Sequence, residues 1–473
     1  MTRLLLLAIV VLPVELRSQI TAREYAQRRD ALVARLPDAV VVVLGAREPS
    51  LDYLEFHQTP NMLYLSGIRE PDAALVMVKE GGRASSTVFV LSRDPAAEVW
   101  TGTRMGTDGA TRLTGLPARD TEHLLFVLDS LAGGKLPMHF VGELTMRRDS
   151  LALSPDDQLV AALRRGHSQL QVASAGAIVE QLRGKKSAAE LALIRRAVDI
   201  TVAAQREAFR TVRPDINEYE VEASIEHTFR RNGAERPSFA TIVGSGPNAT
   251  ILHYNVNDRL IQSGDVIVMD IGASYDGYSA DVTRTVPANG TFSPEQRQVY
   301  QIVRAAQAAA ERMAQPGANA QLMIDSASAV IAAGLARLGL IESPGATYDL
   351  IGRDGAVRQA SQAGLYYMHG LGHGIGLEVH DPEQFYYNGI IGQGSAFTIE
   401  PGIYVRSNLL EILADTPRNR ALIARIRPAV ERYRNIGVRI EDDYIVTEKG
   451  LEWISRAPRE IGEIEASMRR ATP

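Results

Sequence analysis

Between Val266 and Asp281 the chain spells a β-hairpin with a carboxylate on each arm. Val266-Ile267-Val268-Met269 is an apolar run closed by Asp270, and Asp276-Gly277 is a strong turn signal, since both residues tolerate the positive φ of a tight hairpin. A turn centred there, or one residue earlier, sets Asp270 and Asp281 nearly opposite each other. Cross-strand neighbours share a face, with Cβ atoms about 5 Å apart. Two ionised carboxylates that close repel, and a partly buried pair persists only with a cation between them or a shared proton. On the hairpin alone, two exposed aspartates flanking a turn remain an equal alternative.

Three further segments carry the same residue types. In His369-Gly-Leu-Gly-His373-Gly-Ile-Gly-Leu-Glu378-Val-His380-Asp381, three of the chain's nine histidines stand among four glycines. The glycines argue against a helix and for close backbone approach, and three imidazoles so placed point to function. Phe397-Thr398-Ile399-Glu400-Pro401-Gly402 ends an apolar strand in a carboxylate. Val438 to Val446 alternates, with Arg439 and Glu441 on one face and Ile440 on the other; taken singly, that pair reads as a salt bridge.

Composition narrows the chemistry. There is no cysteine among 473 residues, which removes thiolate nucleophiles, thiolate metal sites, disulfides and acylated anchors. Net charge is −5 and no Lys/Arg block occurs, so nucleic acid and anionic membranes are poor partners. No HExxH, GxSxG or Walker motif is present. Gly244-Ser-Gly246-Pro-Asn-Ala249 resembles a dinucleotide fingerprint, but Thr250 to Tyr254 after it reads as a strand rather than a helix, so the glycines mark a hairpin turn. At the start, Arg3 followed by the apolar run Leu4–Val14 reads as an export leader, too short to span a membrane. Glu15 and Arg17 make a poor cleavage site near Ser18-Gln19.

The length fits two domains. Tyr25 to Leu36 reads as a helix, Ala39 to Leu44 as a buried strand, and Ala73–Val78, Thr87–Leu91 and His139–Val141 as further strands. His57, His123 and His139 are scattered and read as surface or packing residues. Between Ser168 and Lys186 the organisation changes. Ser187-Ala-Ala-Glu190 is a capping box opening a helix to about Arg210, and a second helix is expected over Glu218–Arg231. Strands follow Pro237, and one more helical interval runs from Glu295 to Leu338.

The ordered set Asp270, Asp281, His373, Glu400 and Glu441 resembles the five metal ligands of the M24 metallopeptidases, a family that includes aminopeptidase P, prolidase and methionine aminopeptidase. The flanking MDIGASYDGYSADVTRT, HGLGHGIGLEVHD, TIEPGIY and RIEDDYIVT are similar as well. Phe56-His-Gln and Asn61-Met-Leu-Tyr-Leu-Ser-Gly67 resemble the start of the creatinase-type domain, which methionine aminopeptidases lack. The resemblance implies an α/β creatinase-like N-terminal domain over 20–175, after a leader at 1–19, and an α+β pita-bread catalytic domain over 176–473.

It also implies roles. Asp270 would chelate one metal, Asp281 and Glu441 would bridge two, and His373 and Glu400 would hold the second. His253 resembles the histidine that assists proton transfer, and His380 the one that contacts the scissile carbonyl. Glu400 would move the water's proton. His369, Tyr404 and Arg439 would support the substrate side, with Arg439 beside Glu441. A mostly oxygen donor set suits two Mn²⁺, with Co²⁺ or Zn²⁺ as alternatives. The implied substrates are peptides with proline second, and the implied assembly a homodimer or homotetramer.

Tyr386 to Ser395 lacks the arginine that grips a dipeptide carboxylate in prolidase-like relatives, leaving Arg406 as the substitute. That favours longer peptides, whereas Gly372 is at least as prolidase-like. The charged connection from Tyr404 to Arg439 reads as a solvated helix rather than an entrance rim. Prolidase, a creatinase-like amide hydrolase and a silent peptide-binding module remain as alternatives.

Overall fold

The computed structural model describes residues 20–51, 53–144 and 153–469. The expected leader at 1–19 lies outside them. No helix among the described residues is long and apolar enough to cross a membrane.

The valine run decides the architecture of the first half. Ala39–Leu44 sits inside a six-stranded sheet, antiparallel to Ala74–Glu80 on one side and parallel to Met138–Phe140 on the other. Its side chains alternate between two cores: Val41 and Val43 pack with Leu32, Met62 and Val179, and Val40 and Val42 with Leu128, Val160 and Leu163. A strand covered on both faces needs a continuous apolar run, which is what valines 40–43 supply. Because Ala175 and Val179 belong to this core, the helix Gly176–Arg183 packs with the N-terminal half, past the 175/176 division expected from sequence.

The second half begins at the capping box, present as expected, with Ser187 and Glu190 closing the start of the helix Ala188–Thr211. Glu218–Arg231 is helical as the pattern indicates. The interval Glu295–Leu338 is two helices, Pro294–Met313 and Gln321–Arg337, because Pro316-Gly317 breaks the run. Pro417–Tyr433 is a helix that buries Leu422, Ile426 and Val430 and turns its arginines outward.

Three local expectations fail for identifiable reasons. Thr250 to Tyr254 is not a strand: Gly246, at φ 53°, and Pro247 start a 3₁₀ turn over Gly246–Thr250, and residues 251–259 hold no regular structure. The hairpin turn centres on Asp276 and Gly277, at φ 51° and 82°. That register puts Thr283 opposite Asp270, so Asp281 lies diagonal to Asp270, two residues nearer the turn on the same face. Finally, Val438 to Val446 is two strands. Gly437–Arg439 pairs with Gly402–Tyr404, Asp442–Thr447 pairs with Ala396–Ile399, and Ile440-Glu441 is the break between them.

Candidate metal centre and substrate cavity

The hairpin, the histidine loop and the two broken strands meet around one cavity of about 530 Å³, lined by Asp270, Asp281, His373, Glu400 and Glu441 together with His253, His369, His380 and Arg439. Phe239, Leu252 and Val379 add apolar wall.

His373 Nε2 stands 3.5 Å from Asp281 Oδ2, 3.5 Å from Glu400 Oε1 and 3.8 Å from Glu441 Oε1. Its Nδ1 lies 3.1 Å from the Gly374 carbonyl, so the proton sits on Nδ1 and the Nε2 lone pair faces the carboxylates. Burial, and then the neighbouring His380, lower its pKa to about 4, so the ring is neutral at physiological pH. Two of the carboxylates are anchored by one oxygen. Asp270 Oδ2 accepts from Arg439 at 2.5 Å and Glu441 Oε2 from the Thr283 hydroxyl at 2.7 Å. Asp270 Oδ1, Asp281 Oδ1 and Glu441 Oε1 are buried without a hydrogen-bond partner among the described residues.

Buried acceptors without donors are costly, and the charges repel as well. Burial, and then mutual repulsion, push Asp281 and Glu400 well above the usual carboxylate range and Glu441 up to about 8. Burial also acts on Asp270, but the Arg439 charge beside it holds it below its ordinary value. Crowded carboxylates with open oxygens and a neutral imidazole are the donors a hard divalent cation takes. Asp281, His373 and Glu441 offer one atom each, all within 4.8 Å of one another. The residues present fit a metal.

Arg439 does not pair with Glu441 as expected. Its guanidinium donates to Asp270, to the Tyr404 hydroxyl at 2.8 Å and to the Leu252 carbonyl at 3.3 Å, and its Nε reaches the Thr283 hydroxyl at 3.3 Å, which in turn donates to Glu441, so Arg439 supports Glu441 only through Thr283. Tyr404 is fully buried and also meets His369 Nε2 at 2.9 Å, so it stands behind the cavity wall. The rings of His380 and His373 have centroids 4.0 Å apart. Arg406 reaches the Leu365 carbonyl and is not part of the lining.

The sequence reading missed Thr283 and the support of the histidine loop. Asp381, next to His380, is buried between Arg183 and Lys186, which come from the junction of the two halves. The correct hairpin register would have found Thr283; nothing local marks Arg183. The loop also depends on glycine. A Cβ at Gly372 would collide with the Thr398 carbonyl, on the strand that leads to Glu400. Gly372→Ala is therefore expected to cost about 1–3 kcal/mol and to depress activity, checked by thermal melting and peptide hydrolysis.

The model of metallopeptidase family M24 matches residues 192–448, and that of the aminopeptidase P N-terminal domain residues 25–136. The chain is 34% identical to the Xaa-Pro aminopeptidase of Escherichia coli, over 95% of this chain and 98% of that one. It is 32% identical to the Xaa-Pro aminopeptidase of Haemophilus influenzae, over 95% and 98%. The solved structure of Escherichia coli aminopeptidase P in complex with substrate superposes with a TM-score of 0.79, at 31% identity, covering 96% of this chain and 99% of that one. Proline aminopeptidase P II from Yersinia pestis gives 0.79 at 30% identity, over 95% and 100%. With both domain models and full-length relatives in agreement, the chain belongs to metallopeptidase family M24.

Proposed function

We propose that this chain is an Xaa-Pro aminopeptidase, a metal-dependent hydrolase that removes the first residue of peptides whose second residue is proline. The observation that carries the reading is the buried cluster of Asp270, Asp281, His373, Glu400 and Glu441, in which Asp270, Asp281 and Glu441 each keep an oxygen without a hydrogen-bond partner among the described residues, in a chain whose full-length relatives carry that name. In this proposal Asp270, Asp281, His373, Glu400 and Glu441 hold two divalent ions, with Mn²⁺ favoured by the oxygen-rich set. When bound, such ions polarise a carbonyl and lower the pKa of water.

The chain's own groups then divide the work. Glu400 takes the water's proton at a carboxylate oxygen and passes it towards the leaving nitrogen. Proline leaves as a tertiary amide nitrogen, so a site shaped to its ring discriminates against ordinary peptides. His380, exposed at the cavity and stacked near His373, donates to the carbonyl oxygen as charge develops there. His253 faces the same space and supports proton transfer. Arg439, committed to Asp270 and Tyr404, keeps Asp270 ionised rather than gripping substrate.

That commitment separates the reading from prolidase. The guanidinium lining the cavity is already used, and Arg406 is elsewhere, so among the described residues a dipeptide's carboxylate finds no spare arginine in the cavity. The test is Mn²⁺-reconstituted protein offered Ala-Pro, Ala-Pro-Ala and Ala-Ala-Ala, with products read by mass. Alanine released from Ala-Pro-Ala and little else is the expected outcome. Cleavage of Ala-Pro alone makes the chain a prolidase, and no cleavage despite bound metal sinks both. Export through the leader at 1–19 and assembly as a dimer or tetramer belong to the same proposal. Cell fractionation with N-terminal sequencing and light scattering check them.

A further inference from the structure

His253 poses a structural question. Its ring is exposed at the cavity, and among the described residues it makes no hydrogen bond. It also lies in the stretch 251–259, which has no strand or helix to hold it. A side chain so placed is aimed by its main chain, and that main chain converges on one buried carboxylate.

Glu218, the first residue of the helix Glu218–Arg231, is 0% exposed. Its Oε1 accepts from the Ser245 amide and the Ser245 hydroxyl, both at 2.6 Å. Its Oε2 accepts from the Tyr254 hydroxyl at 2.8 Å and the Arg259 amide at 3.0 Å, and Asn248 Nδ2 reaches both oxygens at 3.2 and 3.3 Å. These donors lie before, within and at the end of the irregular stretch, and Tyr254 is the immediate neighbour of His253. Further along, Arg439 holds the Leu252 carbonyl, the buried Asn257 side chain accepts from the Val243 amide and donates to the Thr241 carbonyl, and Arg259 pairs with Asp265; Tyr254, beside His253, is held by Glu218.

We propose that Glu218 is a positioning residue for His253: it gathers the segment Ser245–Arg259 around one carboxylate and so fixes where the imidazole meets the substrate. The inference rests on the reading above that His253 assists the reaction. Only a carboxylate accepts from this many donors. Glutamine keeps the volume but turns an N–H₂ group towards donors that it cannot satisfy. Since small displacements of a catalytic group are expensive, Glu218→Gln is expected to lower kcat/KM for Ala-Pro-Ala by about ten- to a hundredfold with metal content unchanged.

A double-mutant cycle separates positioning from general loosening of the fold. Full-length protein reconstituted with Mn²⁺ is compared as wild type, Glu218→Gln, His253→Ala and the double variant. If Glu218 acts through His253, its substitution costs activity in the wild-type background and almost none once the imidazole is gone. An equal loss in both backgrounds, or no loss in either, overturns the inference. Should Glu218→Gln fail to fold, Tyr254→Phe removes the hydroxyl that joins His253's neighbour to Glu218, together with its contacts to Asp258, and the same comparison decides. A His253→Ala variant as active as wild type would instead sink the assignment of His253, leaving Glu218 nothing to position.

Discussion

Replacing Asp281 by asparagine removes metal retention and peptide cleavage together, with kcat/KM for Ala-Pro-Ala falling by about 10³–10⁴-fold. The substitution keeps the shape, and the Asp281 amide still donates to Asp443 at 3.1 Å, so the hairpin is expected to fold. What goes is a negative charge whose Oδ1 has no protein partner and whose Oδ2 lies 3.5 Å from His373 Nε2. The diagnostic is a change of sign between two melting experiments. Without metal, Asp281 is one of several carboxyls that burial and mutual repulsion push up, so the neutral amide stabilises the chelator-treated protein. With metal, the lost ligand destabilises it. Asp276→Asn is the control on the same hairpin. Asp276 stands at the turn with positive φ, which asparagine tolerates, and pairs with a half-exposed Arg69, a contact worth at most about 1 kcal/mol. Activity should not change there. An Asp281→Asn protein that keeps its metal and its rate would remove this residue from the ligand set.

The parts of the fold that could be read from sequence are those whose cause is local. The valine run, the capping box at Ser187 and Glu190, and the Asp276-Gly277 turn each carry their explanation within a few residues. The gathering of Asp270, Asp281, His373, Glu400 and Glu441 could also be anticipated, because each stands at a strand end or among glycines, where a side chain leaves the regular ladder. Where the reading failed, the deciding partner was distant. The alternation from Val438 to Val446 is real, but one part pairs with Gly402–Tyr404 and the other with Ala396–Ile399, and no local pattern announces that change of partner. The same blindness produced the wrong mate for Arg439: Glu441 is two residues away in the chain, whereas Asp270 arrives from another sheet. Thr250 to Tyr254 has strand-like composition, yet the 3₁₀ turn begun at Gly246-Pro247 takes in Thr250, and the Tyr254 hydroxyl then donates to Glu218 on a separate helix.

The metal-free protein is expected to lose thermal stability as pH rises from about 6.5 to 8, the reverse of ordinary acid denaturation. Glu441 is raised from 4.5 to about 8 by burial and the charge of Asp270, and Asp281 and Glu400 are raised well above their ordinary values. A carboxyl with a raised folded pKa holds its proton in the native state when the unfolded chain has already released it. Its stabilising contribution is complete below the unfolded value and disappears as pH climbs through the folded one. The buried histidines oppose this at lower pH. His369 and His373 are lowered to about 4, so folding excludes their protons and their own contribution to stability rises from pH 4 to about 6.5. Above that point the histidines are neutral in both states and the carboxyls act alone. The slope is about 1.4 kcal/mol per pH unit for each proton, or about 1.5–2.5 °C in Tm for a protein of this size. Bound metal replaces those protons, so the difference in Tm between loaded and chelator-treated protein should widen steadily over the same interval. Melting both forms at half-unit steps measures it. A metal-free Tm that stays flat or climbs from 6.5 to 8 would mean that the carboxylates around His373 are not crowded enough to need a cation.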